Sequence, residues 1–390
     1  MLIGIVGAPN KGKSTIFSAL TMNDVPIADY PFTTIKPNLG VAYATKRCVH
    51  GELKTQCKAR NSLCIDGTRM FPVNLTDVAG LVEGAHEGKG MGNQFLNDLA
   101  GADALILVAD ASGRTDPSGN KTTGADPTED VRMVEKELVA WLASVVRSNI
   151  GKISRRPDGI DALYEVLAGL KVTKDDIKAV VEANGLPQGR IAWTDDQVRE
   201  FSIVLIKRSK PTLIAANKYD VPGSEANVER LRKEFGEKNV IPCSGAMELA
   251  LRKAAKQKLI DYVPGNREFK WLHEDESKER QEALKYMQNF LKAKGTNLQE
   301  LINGAVFGLL DNIVVYPVED ENKYTDSFGN VLPDAILIKR GSTALQFAEK
   351  IHTDLAKGML YVVDARTKRR LSKDYVLQDN DVIKIVSAVK

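Results

Sequence analysis

A glycine-rich loop near the start of the chain has the spacing of a phosphate-binding loop. The run GAPNKGKS at residues 7–14 matches the pattern G-x4-G-K-S and stands between the strand-like LIGIVG and the helix-like STIFSALT. Glycines let the backbone curl so that its N–H groups and a helix N-terminus surround phosphate. Lys13 is expected to reach the β- and γ-phosphates of a nucleotide, and the Ser14 hydroxyl to bind Mg²⁺. The other positions expected to contact the nucleotide are Ala8, Pro9, Asn10, Lys11, Gly12 and Thr15.

The tetrapeptide NKYD at residues 217–220 predicts which base is bound. It ends an apolar run, and a carboxylate at Asp220 can accept hydrogen bonds from guanine N1–H and from the exocyclic amine. Adenine lacks that donor pair and would leave the carboxylate desolvated and unpaired, a mismatch that is strongly rejected. The expected ligands are therefore GTP and GDP. The further residues assigned to the base site are Asn217, Lys218, Ser244, Gly245 and Ala246, of which the last three are expected to bring backbone N–H groups to guanine O6.

Two segments between these motifs are predicted to sense the terminal phosphate. In ADYPFTTIKPNLG, Thr34 is favoured as a second hydroxyl ligand of Mg²⁺, with Thr33 as its structural neighbour. In DVAG, Asp77 is expected to hold Mg²⁺ and the Gly80 N–H to bind the γ-phosphate. Because only the triphosphate would hold both segments, loss of that phosphate should release them, which predicts a switch.

The elements that must position these residues follow an α/β pattern. Between the short apolar runs lie stretches with helical periodicity, and this alternation predicts a doubly wound α/β domain with a parallel sheet. The segment from about 126 to 210 is predicted as a helical insertion and about 247–312 as a helical extension, which together complete a domain over 1–312. From 313 to 390, strands around one central helix predict a small α+β module. The strand-like runs of the first domain lie at 2–7, 71–77, 102–110, 211–220 and 239–245.

The bulk composition predicts a protein with more than one domain and no global affinity for polyanions. The chain has 390 residues, of which 43% are apolar, and its 54 basic and 51 acidic residues leave a formal charge of +3. Because the net charge is so small, overall electrostatic attraction does not predict binding to nucleic acid or to a membrane. No secretory pattern and no apolar run of about 18 residues is found, so a cytoplasmic location without a membrane partner is expected.

Three of the four cysteines lie close together in the sequence with a histidine. Cys48, His50, Cys57 and Cys64 form the pattern C-x-H-x6-C-x6-C, which lacks the C-x2-C pairs typical of zinc knuckles. Three interpretations stay open. The group could bind zinc through thiolates and an imidazole, two cysteines could form a disulfide, or the cysteines could be unpaired residues on a hairpin.

A basic stretch occurs late in the chain. Residues 339–373 contain nine basic and three acidic residues, and the run DARTKRRLSK includes Lys368, Arg369 and Arg370. Such a stretch can bind phosphates of RNA, or it can be a solvated hairpin tip between two strands.

Taken together, the motifs resemble the Obg family of translation-factor-class GTPases, in particular its Obg-like YchF branch. The resemblance rests on GAPNKGKS, YPFTTIKPNLG, DVAGLVEGAHEGKGMGNQFL and NKYD. The C-terminal module resembles a TGS domain, which implies a ubiquitin-like β-grasp fold and association with the ribosome or tRNA. Bacterial and eukaryotic relatives of this branch carry an altered base motif associated with ATP use, whereas NKYD is intact here. The cysteine segment and the helical insertion resemble an archaeal-type branch.

Leu81 stands directly after DVAG, where the familiar small GTPases carry the glutamine that orients the attacking water. Members of the resembled family with a hydrophobic residue here are called HAS-GTPases, and a leucine cannot align water by hydrogen bonding. The resemblance suggests Asn10, because related GTPases with asparagine at this place bind K⁺ between the phosphates. His86 could instead transfer a proton, or be a solvated loop histidine, and a partner could supply the missing group. Leu81 itself could simply pack beneath the switch.

The sequence therefore predicts a Mg²⁺-dependent GTPase that acts as a switch in association with ribosome or RNA, with K⁺ as a candidate second ion. The predicted catalytic residues are Lys13, Asn10, Thr34, Gly80 and His86. Two alternatives stay open. The chain could be an ATPase of the YchF type, or an adaptor that binds RNA or ribosomes and uses nucleotide only as a stabilising ligand.

Overall fold

The computed structural model describes residues 1–22, 39–78, 80–85, 99–272 and 277–388. Thr33, Thr34 and His86 lie outside these ranges, so their predicted roles stay predictions. No helix in the described ranges is long and apolar enough to cross a membrane.

The described residues form two compact units. The first unit contains residues 1–22, 39–42 and the described part of 73–305. The second unit contains residues 43–72 and 306–388. The predicted domain boundary at 312–313 stays a prediction, and the second unit differs from the predicted module because it also contains a segment from early in the chain.

Seven strands form one largely parallel sheet. Its strands follow the order β2-β4-β1-β5-β6-β7, with β3 paired antiparallel to β4. The neighbours from β4 through β1, β5 and β6 to β7 all run parallel. Every residue of β5 is buried, as expected for a strand covered on both faces. The strands are β1 (Leu2–Val6), β2 (Leu39–Arg47), β3 (Leu63–Ile65), β4 (Thr68–Asp77), β5 (Ala104–Asp110), β6 (Thr212–Asn217) and β7 (Val240–Pro242).

Helices connect and cover these strands. Four helices occupy the predicted insertion, where Asp126 caps α2 through the Thr128 N–H and two further helices begin with capping boxes. Their apolar faces form one core with the sheet. A short hairpin of β8 (Ile260–Asp261) and β9 (Lys270–Trp271) interrupts the helical extension. The helices of the first unit are α1 (Lys13–Thr21), α2 (Pro127–Ile153), α3 (Gly159–Leu167), α4 (Lys174–Ala183), α5 (Asp195–Ser209), α6 (Ser224–Phe235), α7 (Gly245–Lys256), α8 (Lys278–Ala293) and α9 (Leu298–Asn303).

The second unit contains a five-stranded sheet packed against a short helix. The strand order is β11-β10-β14-β12-β13, in which β10 and β14 are parallel and the other pairs antiparallel. Phe347 of α10 is fully buried in the apolar core of this unit. The elements are β10 (Asn312–Val318), β11 (Ile336–Lys339), α10 (Ala344–Ile351), α11 (Thr353–Lys357), β12 (Met359–Asp364), β13 (Arg370–Leu371) and β14 (Asp381–Ser387).

The helix expected in the C-terminal module is divided in two at His352. This residue has the extended conformation φ −162°, ψ 134°, and its ring accepts a hydrogen bond from the Asp354 N–H. The ring therefore caps the second helix. A helical periodicity continues through such a break, which is why the sequence predicts one helix.

Candidate functional site

The glycine-rich loop joins β1 to α1 at the carboxyl end of the parallel strands. Gly7 has φ 148°, and a Cβ atom there would lie 2.6 Å from the Val108 carbonyl oxygen. Gly12 has φ 93°, and its Cβ would lie 2.3 Å from Nδ2 of Asn217. Only glycine fits both the left-handed backbone and the close neighbours. The loop is thus shaped by contacts with the ends of neighbouring strands before any ligand is considered.

Lys13, at the start of α1, is held close to the loop backbone. Its side chain is 8% exposed, and Nζ donates a hydrogen bond of 2.8 Å to the Ala8 carbonyl. Burial lowers the pKa of Lys13 to about 8, with attraction by Asp77 opposing the change and repulsion by Lys11 adding to it. A phosphate group near Nζ would restore the charged form, because an opposite charge favours the ammonium ion.

Asp77 and Ser14 provide oxygen atoms suited to a hard divalent cation. Asp77 ends β4, and its Oδ1 is buried without a hydrogen-bond partner among the described residues. Ser14 is exposed in the first turn of α1. A buried carboxylate oxygen without a partner is costly unless it binds something, and carboxylate and hydroxyl oxygens are the ligands that Mg²⁺ prefers. The donor set therefore fits the predicted ion.

Lys11 has a structural role that the motif did not indicate. Its side chain is fully buried, and Nζ lies 2.8 Å from Oδ1 of Asp130 in α2. The same Nζ donates to the Thr115 carbonyl and hydroxyl and to the Asp116 carbonyl, at 2.8–3.0 Å. Because the side chain is directed into the protein, only the backbone of Lys11 is placed to meet a ligand.

Asp110, at the end of β5, connects this network to the NKYD motif. Its Oδ2 accepts hydrogen bonds from Lys218 Nζ at 2.8 Å and from the Thr115 hydroxyl at 2.6 Å. Burial alone would raise the pKa of Asp110, but hydrogen bonds from Lys218, Ser112 and Thr115 outweigh it and hold the pKa below its usual range. Lys218 also donates to the Asn10 carbonyl, at 3.0 Å. The one signal for this residue in the sequence is that an aspartate ends the central apolar run.

Asn217 joins the glycine-rich loop to the start of α7. Its Nδ2 donates to the Lys11 carbonyl at 2.9 Å, and its Oδ1 accepts from the Gly245 N–H at 3.0 Å. The side chain is 3% exposed. The structure therefore gives Asn217 a positioning role, because both ends of its amide are bonded within the protein.

Asp220 is the partly exposed carboxylate of the same motif. Its Oδ1 accepts a hydrogen bond of 2.5 Å from the Ser244 hydroxyl, and this hydroxyl also accepts from the Met247 N–H as the N-cap of α7. Ser244 is fully buried, whereas Ala246 is exposed beside it. The first turn of α7 and the carboxylate are thereby held next to each other.

Leu81 and Asn10 differ in what surrounds them. Leu81 is 2% exposed in the core of the first unit, and its N–H donates to the Gly7 carbonyl at 3.1 Å. Gly80 beside it is exposed. Asn10 is also exposed, and its Nδ2 donates to the Gly119 carbonyl at 2.9 Å. The packing interpretation of Leu81 thus has a direct structural basis, and Asn10 Oδ1 has no hydrogen-bond partner among the described residues.

The predicted residues of the second unit form two groups. Cys48, His50, Cys57 and Cys64 come together, with one ligand atom of each within 4.8 Å of the others. All four cysteines of the chain are free thiols.

The basic stretch is only partly available to a ligand. Lys368 contacts the Glu321 carbonyl and lies 5.0 Å above the Tyr324 ring, and the Arg370 guanidinium stacks 3.7 Å from the Tyr361 ring centre. Arg369 has no side-chain partner within the described part of the chain.

Three family models match separate parts of the chain. A model described as a 50S ribosome-binding GTPase matches residues 2–146, and one for an Obg-like GTPase, the YGR210-like G4 motif-containing domain, matches 215–320. A TGS domain model matches residues 328–387. These matches contain the motifs on which the predicted resemblance rests.

Individual relatives resemble the chain from end to end. It is 50% identical to the GTP-binding protein MJ1332 of Methanocaldococcus jannaschii, with all of both chains covered. It is 26% identical to the ribosome-binding ATPase YchF of Bacillus subtilis, with 97% of each covered. The solved structure of a GTP-binding protein from Pyrococcus horikoshii OT3 is similar with a TM-score of 0.81 at 38% identity, again over the whole of both chains.

Proposed function

The chain belongs to the Obg-like, YchF-related family of P-loop GTP-binding proteins with a TGS domain, and on this premise we propose that it binds GTP and hydrolyses it to GDP and phosphate. The observation that carries the proposal is the connection between the two motifs. Asn217 bonds the loop that would bind phosphate to the helix start beside Asp220, so one side chain connects the two predicted halves of a guanine nucleotide site.

Each described residue has a distinct task in this reaction. Lys13 and the loop N–H groups neutralise phosphate charge as it develops. Asp220 accepts hydrogen bonds from the guanine edge and rejects adenine, while Ser244 holds that carboxylate in place. Ser14 and Asp77, with Thr34, would hold Mg²⁺, which supplies charge neutralisation to the phosphates when bound.

Because the glutamine is missing, its catalytic role must come from an ion, from His86 or from a partner. Leu81 is buried and cannot orient water, whereas Asn10 is exposed beside the loop, and its Oδ1 has no hydrogen bond in the part of the chain that the structure describes. K⁺ held at Asn10 would place positive charge near the phosphates, a task for which an arginine in related enzymes is worth about 10³–10⁵ in rate. His86 and a group supplied in trans are the other sources of catalysis.

We further propose that the protein associates with the ribosome or its RNA through the second unit. The support is the family's 50S ribosome-binding description, the name of the B. subtilis relative, and the exposed Arg369 beside Lys368 and Arg370. A cytoplasmic location accords with this task. If nucleotide turnover were indifferent to ribosomes, and binding indifferent to GDP or GTP, the adaptor interpretation would hold instead.

One turnover assay tests these points. Phosphate release is measured with GTP and with ATP, each in Na⁺ and in K⁺, with and without ribosomes. We expect GTP to be preferred, K⁺ to accelerate turnover, and Asn10→Ala to lower the K⁺/Na⁺ rate ratio toward one. Loss of the Asn10 contact with Gly119 could lower the turnover rate in general. It would lower the rates in Na⁺ and in K⁺ by the same factor, so it would not change their ratio. Preference for ATP would establish the YchF-type ATPase, and an unchanged ratio in Asn10→Ala would exclude Asn10 as the K⁺ ligand.

A further inference from the structure

A group of four candidate ligand atoms, three thiol sulfurs and one imidazole nitrogen, lies in the second unit, between the glycine-rich loop and DVAG in the sequence. Cys48 and His50 follow the end of β2, Cys57 lies in the loop beyond, and Cys64 lies in β3. The Sγ atoms of Cys48 and Cys57 are 4.0 Å apart. His50 Nδ1 lies 3.1 Å from Sγ of Cys57 and 3.6 Å from Sγ of Cys64.

These separations are those of a tetrahedral site. Zinc bonds thiolate sulfur at about 2.3 Å and imidazole nitrogen at about 2.0–2.1 Å, so ligand atoms on one ion lie about 3.6–3.8 Å apart. The observed separations bracket that range, and all four atoms lie within 4.8 Å of one another. We propose that Cys48, Nδ1 of His50, Cys57 and Cys64 form a structural zinc site.

The charge surrounding the group supports this assignment. Three thiolates and one imidazole around Zn²⁺ carry a net charge of −1. Arg69 is fully buried, interacts electrostatically with Cys57, and bonds Ser62 at 2.7 Å together with carbonyl oxygens of Leu332 and Pro333. No carboxylate forms an ion pair with Arg69 among the described residues. The half-buried carboxylate of Asp334 also interacts electrostatically with Arg69, and a thiolate-bound zinc would add negative charge near this buried guanidinium.

A disulfide fits the group less well than a metal. One S–S bond would use two of the three thiols and would leave the third thiol and His50 without a function in the cluster. A four-ligand site uses every member, and a closed set of four is typical of structural rather than catalytic zinc.

The site would hold a loop that binds the rest of the second unit. Between Cys57 and Cys64, the Lys58 N–H donates to the Val331 carbonyl and the Arg60 N–H to the Pro333 carbonyl, each at 2.8 Å. Asn61 Oδ1 accepts from the Ala335 N–H at 3.1 Å. Zinc binding would therefore stabilise this loop together with the segment before β11 that it contacts.

The direct test is metal content of the full-length protein. After equilibration with Zn²⁺ and removal of the free ion, elemental analysis should find one zinc per chain, and cobalt substitution should give the thiolate charge-transfer absorption of a tetrahedral site. These measurements need no variant. Absence of bound metal, alkylation of all three thiols at the same rate with and without Zn²⁺, or a mass lower by two hydrogens from a disulfide would overturn the proposal.

Cysteine variants test which residues bind the zinc ion. Cys57→Ala should lower zinc affinity by more than the about 10- to 100-fold that loss of an outer-shell partner costs. The matched control is Cys243→Ala, which removes the one cysteine outside the group, a buried residue of the first unit. Chelation of the wild-type protein should accelerate hydrogen exchange at the amides of Lys58 and Arg60. Equal zinc content in both variants, or unchanged exchange on chelation, would contradict the assignment.

Discussion

Lys11 Nζ lies 2.8 Å from Asp130 Oδ1, and both side chains are almost fully removed from solvent. This ion pair joins the glycine-rich loop to α2, the first helix of the insertion, so the helical insertion directly supports the loop. Removing the lysine would leave a buried carboxylate with an unpaired charge.

We therefore expect Lys11→Met to destabilise the protein by about 3–5 kcal/mol. Chemical denaturation measures the free energy of unfolding. In a double-mutant cycle, Lys11→Met with Asp130→Asn should cost less than the sum of the single changes. The matched control is Lys207→Met, where an exposed lysine is lost and an effect within about 0.5 kcal/mol is expected. An ordinary substitution lowers the free energy of unfolding by about 1 kcal/mol. If Lys11→Met lowers it by less than about that amount, the ion pair does not support the loop.

Asp220→Asn should exchange guanine selectivity for xanthine selectivity. The amide can donate to the xanthine C2 carbonyl but leaves guanine's donors unmatched, so GTP affinity should fall by about 10- to 100-fold while affinity for xanthosine triphosphate rises. Calorimetry with both nucleotides measures the change. Asp261→Asn, at an exposed position in β8, is the control and should alter neither affinity. If Asp220→Asn lowers the affinity for both nucleotides equally, another residue selects the base.

Nucleotide binding should weaken as the pH rises through about 8. The pKa of Lys13 is lowered to about 8 by burial, so above this pH the free protein has a neutral amine and must take up a proton when phosphate binds. The affinity for nucleotide is therefore at its maximum below about pH 8, and above this pH it falls by up to about tenfold per pH unit.

Calorimetry of GDP binding in buffers with different ionisation enthalpies counts the protons. Uptake should be about half a proton at pH 8, where the terminal phosphate of GDP is already ionised. Guanosine shares the base but lacks phosphate, so it controls for titration of guanine. Proton uptake of the same size with guanosine would show that Lys13 is not its source.

Leu81→Gln should destabilise the protein without restoring glutamine-type catalysis. Leu81 is 2% exposed in an apolar core, so the amide would be buried without assured partners, at a cost of about 1–3 kcal/mol. Leu81→Met keeps volume and polarity and should cost less than about 1.5 kcal/mol. Urea unfolding and GTP turnover are both measured. A stable Leu81→Gln protein with faster turnover would mean that the side chain reaches the phosphates.

Replacing Lys368, Arg369 and Arg370 with glutamine should weaken ribosome binding in a salt-dependent way. Loss of up to three phosphate contacts would reduce the slope of log affinity against log salt by up to about 3, and by about 1 if Arg369 makes the main contact. The charge-matched control changes Lys253, Lys256 and Lys258 to glutamine, three exposed lysines of the first unit. An unchanged slope in the first variant would exclude the basic stretch as the binding face. Because Lys368 and Arg370 already contact tyrosine rings, we expect Arg369→Gln alone to give much of the effect.

The sequence alone determined the class of fold and the chemistry of the nucleotide site. Apolar runs of strand length alternate with helical periodicity, so the parallel sheet follows from local patterns. The motifs at 7–14 and 217–220 also have local spacing, because a strand end, a tight loop and a helix start are consecutive in the chain. The roles of loop residues such as Asn10 could therefore be predicted from the sequence, and they stay predictions.

Tertiary structure alone decided which residues meet across long sequence separations. The motif does not reveal that Lys11 turns into the protein toward Asp130, because burial depends on a helix more than a hundred residues away. Spacing left Cys48, His50, Cys57 and Cys64 open to three interpretations, and only the pairing of β3 with β4 and the path of the loop bring their ligand atoms together. Local periodicity reports what a segment prefers, whereas a ligand set depends on where separate segments converge.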